Sequence, residues 1–154
     1  MRWLLLLALI PVLSMASTAS KPSISAPTAM EVEIVRVQAA MKASAEGRDV
    51  DALYSHILSN GTIIEGGRLR GREDALIATR RGFESLASIT YDYTHTSITP
   101  LSATSALWVA DGASKATLAD GRVISTEFAE SIVFEKHEGA WKVLHAHRST
   151  PNPR

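Results

Sequence analysis

Cysteine is absent from all 154 residues. Without a thiol the chain has no disulfide framework, no thiolate nucleophile and no cysteine-ligated metal, so a packed core has to hold it together. An excess of one charge is missing too. The 16 Lys and Arg balance 16 Asp and Glu, and no basic run is longer than Arg80-Arg81. That excludes the concentrated positive surface needed to neutralise nucleic-acid phosphates. Long apolar runs are also lacking. Trp3 to Leu13 covers about 11 residues, too few for a helix to cross ~30 Å of hydrocarbon. What is present, 45% hydrophobic and 21% charged residues, is the balance of a folded globular domain.

Residues 1–19 have the three-part layout of a secretory signal: a positive Arg2, the apolar run, then the small residues Ser14, Ala16, Ser17 and Ala19. Cleavage after Ala16 or Ala19 would put small residues at −3 and −1, and Ala19 is preferred. The chain is therefore expected to be exported, periplasmic or secreted, with no stable membrane insertion once the signal is removed. Residues 20–28, with two prolines, read as a flexible linker. The domain is placed at 29–151, with a tail at 152–154.

Thr28 and Glu31 form a capping-box pattern, and Met30, Ile34, Val37, Met41 and Ala45 recur at helical spacing behind it. Gly47 ends this helix, and Asp49 caps a shorter one burying Val50, Leu53 and Tyr54. Asn60-Gly61 reads as a turn, Thr62 to Glu65 as a short strand broken by Gly66-Gly67, and Arg72 to about Phe83 as a third helix. From Ala87 onward Thr, Tyr and Ile dominate, predicting four long strands with turns at Asp120-Gly121 and Glu138-Gly139. Asp111-Gly112 reads as a bulge within one strand in preference to a further hairpin. The result is an α+β domain, a cone-like curved antiparallel sheet with three N-terminal helices over its concave face and a pocket at its open end.

Three stretches resemble the SnoaL-like domains of the nuclear transport factor 2-like superfamily: the helix pair leading to Thr62–Glu65, the Gly71-Arg72-Glu73 start of the third helix, and the last hairpin from Phe134 through Trp141 to His145-Ala146-His147-Arg148-Ser149. The resemblance covers about Ala29 to Pro151. It implies a fold shared by ketosteroid isomerases, polyketide cyclases, dehydratases and non-catalytic association domains, so it does not choose among their functions.

Strand alternation sets Trp141, Val143, His145, His147 and Ser149 on one face. Trp141 and Val143 read as core, and the two histidines as its polar continuation toward the pocket mouth. Glu65, beside Ile63 and Ile64, is a candidate base, against a plain ion pair with Arg68, Arg70 or Arg72. Tyr91, Tyr93 and His95 share a face. Trp108 and Phe128 are large core or pocket groups, and Glu130 points inward with Phe128 and Ile132. A metal on His145 and His147 would need a third ligand from His95, Glu127 or Glu130. No motif fixes one, so neither metal nor cofactor is assigned. Two functions stay open. One is a pocket for a small apolar molecule, with Glu65 or His145 as base and His147 as partner. The other is an association module that dimerises through the outer sheet face carrying Leu144 and Ala146.

Overall fold

The computed structural model describes residues 26–151. The expected signal at 1–19, most of the linker and the tail at 152–154 lie outside the described residues. Thr28 caps α1 (Ala29–Glu46) as its sequence requires: its backbone N–H donates to Glu31 Oε2 at 2.6 Å, and the Glu31 N–H returns a bond to Thr28 Oγ1 at 3.2 Å. Asp49 caps α2 (Val50–Ser55) through a bond from Ala52 N–H. Next come β1 (Ile57–Glu65), β2 (Arg68–Gly71) and α3 (Arg72–Glu84). Four long strands complete the chain: β3 (Leu86–Pro100), β4 (Ser105–Leu118), β5 (Val123–His137) and β6 (Ala140–Ser149). Among the described residues no helix is long and apolar enough to cross a membrane.

The six strands form one curved, unclosed sheet in the order β2-β1-β6-β5-β4-β3. It is not wholly antiparallel, because β1 runs parallel to β6. Parallel neighbours need a long connection, and here everything from β2 to β5 supplies it. β1 also begins earlier than the sequence suggested. Asn60-Gly61 is an irregular stretch inside the strand, between Ile57 paired to Val143 and Thr62 paired to His145. Gly66-Gly67 does not merely end β1. Both glycines have positive φ, 56° and 72°, a conformation that suits a two-residue hairpin loop, and the chain turns straight back into β2.

The helices cover the concave face. Ile34 and Met41 of α1 meet Trp108, Ile132, Phe134, Trp141 and Val143 in the core. Asp111-Gly112 lies within the continuous β4, as expected, but the extra residue is on its partner: Tyr93 pairs with Gly112 and His95 with Asp111, leaving Thr94 bulged in β3. Another register shift in β3 falls at Ala87, between Leu86 and Ser88, and a bulge also falls in β6, where Val133 pairs with His145 and Phe134 with Val143, so Leu144 is unpaired. Each bulge shifts the in–out alternation by one residue.

Candidate functional site

Between the helices and the open end of the sheet lies a cavity of about 560 Å³. Its wall is largely apolar, with Met41 from α1, Leu53 from α2, Ile63 from β1, Phe83 from α3 and Ile89 from β3. Its polar end is built by four side chains from four elements: Gln38 of α1, Tyr93 of β3, Glu130 of β5 and Arg148 of β6.

Register explains how these four converge. Glu130 pairs directly with Arg148 across β5 and β6. The Arg148 Nε–H donates to Glu130 Oε2 at 2.8 Å, and Nη2 donates to the same oxygen. The guanidinium also lies over two rings, 5.0 Å from the centre of Tyr91 and 4.6 Å from that of Phe128. Burial opposes the Arg148 charge, but the Glu130 carboxylate outweighs it and holds the group protonated, raised above the usual arginine range. Gln38 Nε2 donates to the Tyr93 hydroxyl at 3.2 Å, while Gln38 Oε1 is buried without a hydrogen-bond partner. Burial, reinforced by the negative charge of Glu130, pushes the Tyr93 hydroxyl well above its ordinary pKa, so it stays a neutral donor. Tyr54, its hydroxyl 2.8 Å from Thr79 Oγ1, closes the opposite wall.

Of the residues singled out from the sequence, Glu65, Tyr91, Tyr93 and Glu130 do line the cavity. Glu65 enters none of the ion pairs among the described residues, so the expected partnership with Arg68, Arg70 or Arg72 does not form.

The histidine expectation requires correction. Because Leu144 is bulged, Trp141 and Val143 share their face with Ala146 and Arg148, and not with His145, His147 and Ser149. His145 and His147 therefore lie on the convex face, with His145 Nδ1 2.8 Å from Thr62 Oγ1. Ser149 follows them outward and is exposed. The bulge at Thr94 does the same to His95, which leaves the Tyr91 and Tyr93 face and pairs with Asp111 at 2.9 Å. Glu130 thus faces away from both histidines of β6. Among the described residues no three His, Asp or Glu side chains gather as a metal site would need.

Three expected pocket residues lie behind or away from the wall. Trp108 is buried beneath Tyr93, edge-on with ring centres 5.2 Å apart, and Phe128 supports Tyr91 and Tyr93 in the same way. Trp141 sits against the start of α1, where its Nε1–H donates to Glu33 Oε2 at 2.6 Å.

The placement of the histidines has a direct test. His147→Ala removes an exposed outer side chain and should shift stability by less than about 0.5 kcal/mol. His145→Ala loses the Thr62 contact and should cost about 1 kcal/mol. Neither should change binding of an apolar dye in the cavity. Loss of dye binding in both variants would place the histidines inside.

Gln38 and Arg148 were not among the candidates. Gln38 could have been found by its spacing: Ile34, Gln38, Met41 and Ala45 form the buried stripe of α1, and a glutamine on such a stripe needs an internal partner. Arg148 could not have been found, because strict alternation sends it outward.

A model of the SnoaL-like domain family matches residues 34–153. No curated protein sequence matches the chain. Solved structures share its fold at low identity. A nuclear transport factor 2-like protein of Streptomyces avermitilis, proposed to be a dehydratase, is 15% identical with a TM-score of 0.71, over 79% of this chain and 96% of the other. A hexachlorocyclohexane dehydrochlorinase of type 2 is 17% identical with a TM-score of 0.70, over 79% and 85%. The type 3 enzyme of Novosphingobium barchaimii is 17% identical with a TM-score of 0.69, over 79% and 86%. With residues 34–153 matched, the chain belongs to the SnoaL-like domain family, and its curved sheet has the fold of these solved structures.

Proposed function

We propose that this is an exported protein that binds one small, largely apolar molecule in the cavity between its helices and its sheet. The observation that carries this reading is an apolar wall closed at one end by Gln38, Tyr93, Glu130 and Arg148, with the Gln38 acceptor buried and unpaired. A volume of about 560 Å³ falls within the ~300–1,000 Å³ of small-molecule sites. Native mass spectrometry of protein recovered from the exported compartment should show a bound organic molecule and a mature chain lacking residues 1–19. Filling the cavity with Ala78→Trp should abolish binding of an apolar dye without unfolding the domain. Binding undiminished in that variant would refute the cavity as the site.

A catalytic reading is favoured by one observation, the Glu65 carboxylate lining the mouth outside every ion pair of the described residues. Such a group is available to take a proton from a bound carbon acid, a step compatible with the loss of hydrogen chloride that the name dehydrochlorinase states for two structures of this fold. Glu65→Gln should then abolish turnover while leaving dye binding intact.

Dimerisation through the convex face is part of the same proposal, on altered grounds. Ala146 lines the cavity, so it cannot serve that face; Val109, which is exposed, and Val133 take its place. Sedimentation at micromolar concentration should give twice the monomer mass, and a monomer throughout would dismiss the dimer.

A further inference from the structure

We propose that the molecule held in the cavity is uncharged and seats a hydroxyl group on the Gln38–Tyr93 pair. This rests on the cavity being a ligand site and goes further by naming the head group. Three observations support it.

The first is the orphaned amide. Gln38 is only 8% exposed, and its Oε1 has no partner while one N–H of its Nε2 donates to the Tyr93 hydroxyl. A buried polar atom left unpaired costs about 1–3 kcal/mol, and Gln38 lines the cavity, so a ligand group toward which the amide turns relieves that cost. In this arrangement the pair offers an acceptor at Gln38 Oε1 and a donor at the Tyr93 O–H. If the amide is turned over, Tyr93 donates to Gln38 Oε1, Nε2 becomes the donor, and the tyrosine oxygen becomes the acceptor. Either orientation presents at least one donor and one acceptor. A hydroxyl matches both at once. An ether or ketone matches only the donor, and a hydrocarbon matches neither.

The second is charge. At the polar end Arg148 is neutralised by Glu130. Nearer the rim, Lys42 is neutralised by Glu46 at 2.7 Å. Glu65 and Arg70 also line the cavity outside every ion pair of the described residues, but their charges bear on Tyr54 and not on Tyr93. Beside the Gln38–Tyr93 pair no unpaired cation among the described residues receives a carboxylate and no unpaired anion an ammonium, so a charged head would be desolvated there without compensation. Tyr93 itself remains neutral, its ionisation opposed by burial and by Glu130.

The third is rigidity. The Tyr93 ring is held edge-on by both Trp108 and Phe128, at 5.2 and 5.6 Å. The hydroxyl is thus fixed in place before any ligand arrives, as an orienting group must be.

Four probes on one skeleton test this: naphthalene, 2-methoxynaphthalene, 2-naphthol and 2-naphthoate, titrated at neutral pH by fluorescence against wild type, Gln38→Met and Tyr93→Phe. 2-Naphthol should bind wild type about tenfold more tightly than naphthalene or the methyl ether, the scale of one buried hydrogen bond. 2-Naphthoate should bind at least about tenfold more weakly than 2-naphthol. Both variants should lose the preference for 2-naphthol and keep their affinity for naphthalene. That retained affinity also reports that they are folded. If naphthalene binds and 2-naphthol gains nothing, or 2-naphthoate binds best, the hydroxyl assignment is overturned and the cavity reading stands. A preference for 2-naphthol unchanged in both variants also overturns it. If no probe binds wild type, the cavity reading fails and the assignment fails with it.

Discussion

Arg148→Met should lower folding stability by about 3 kcal/mol, the lower end of what removing one partner of a buried ion pair costs. The lower end applies because the Arg148 side chain keeps about a quarter of its surface open, whereas Glu130 keeps only 8%. Methionine replaces much of the aliphatic stem, so most of the loss comes from the carboxylate stranded beneath Tyr93. The stacking of the guanidinium on Tyr91 and Phe128 adds a smaller part.

The double variant Glu130→Leu/Arg148→Met separates these contributions. It removes the stranded charge along with its partner, and should therefore be more stable than Arg148→Met alone. Buried pairs are often no better than apolar groups of similar size, so the double variant could approach wild type. Urea unfolding of wild type, both single variants and the double gives the coupling directly. A loss below about 1 kcal/mol in Arg148→Met, or a double variant weaker than that single one, would mean that the pair behaves as a solvated surface contact.

The ion pair shows what the sequence could and could not reveal. The capping box at Thr28, the apolar stripe of α1, the start of α3 at Arg72 and the turns at Gly121 and Gly139 are local features. Their signals lie within a few residues of one another, and all were legible. The direction of each side chain along β3 and β6 was not, because a one-residue bulge has no local signature. Alternation placed His145, His147 and Ser149 in the cavity and Arg148 and Ala146 outside it, and the bulge at Leu144 reverses all five. The bulge at Thr94 separates His95 from Tyr91 and Tyr93 in the same way. Glu130 was read correctly because its strand has no register shift against β4 across that stretch. The β1–β6 pairing could not be read either, since it joins segments some 80 residues apart through a parallel ladder. Even Gln38 needed the helix face to be traced through Ile34 and Met41 before its polarity became informative.

Gly112→Ala should be nearly as damaging, although alanine is ordinarily a mild change and Gly112 has no positive φ that would demand glycine. Space is the reason. A Cβ at this position would sit 2.1 Å from the carbonyl oxygen of Asp92 and 3.0 Å from Cα of Tyr93. Both are backbone atoms of β3, so no flexible side chain can swing aside. The bulge at Thr94 brings β3 this close where Tyr93 pairs with Gly112. An added methyl must therefore push the strand away, at a cost of about 3 kcal/mol, the upper end for overpacking. The displaced residue is Tyr93, so the variant should also weaken the Gln38–Tyr93 bond and with it the 2-naphthol preference, while Ala106→Gly on the same strand, which pairs with Pro100 and Phe134 away from the bulge, should leave that preference alone. Thermal unfolding and probe titration of the two variants make the comparison. A Gly112→Ala protein with wild-type stability and an unchanged preference for 2-naphthol would show that β3 does not approach β4 closely at Tyr93, and that the bulge does not position the tyrosine.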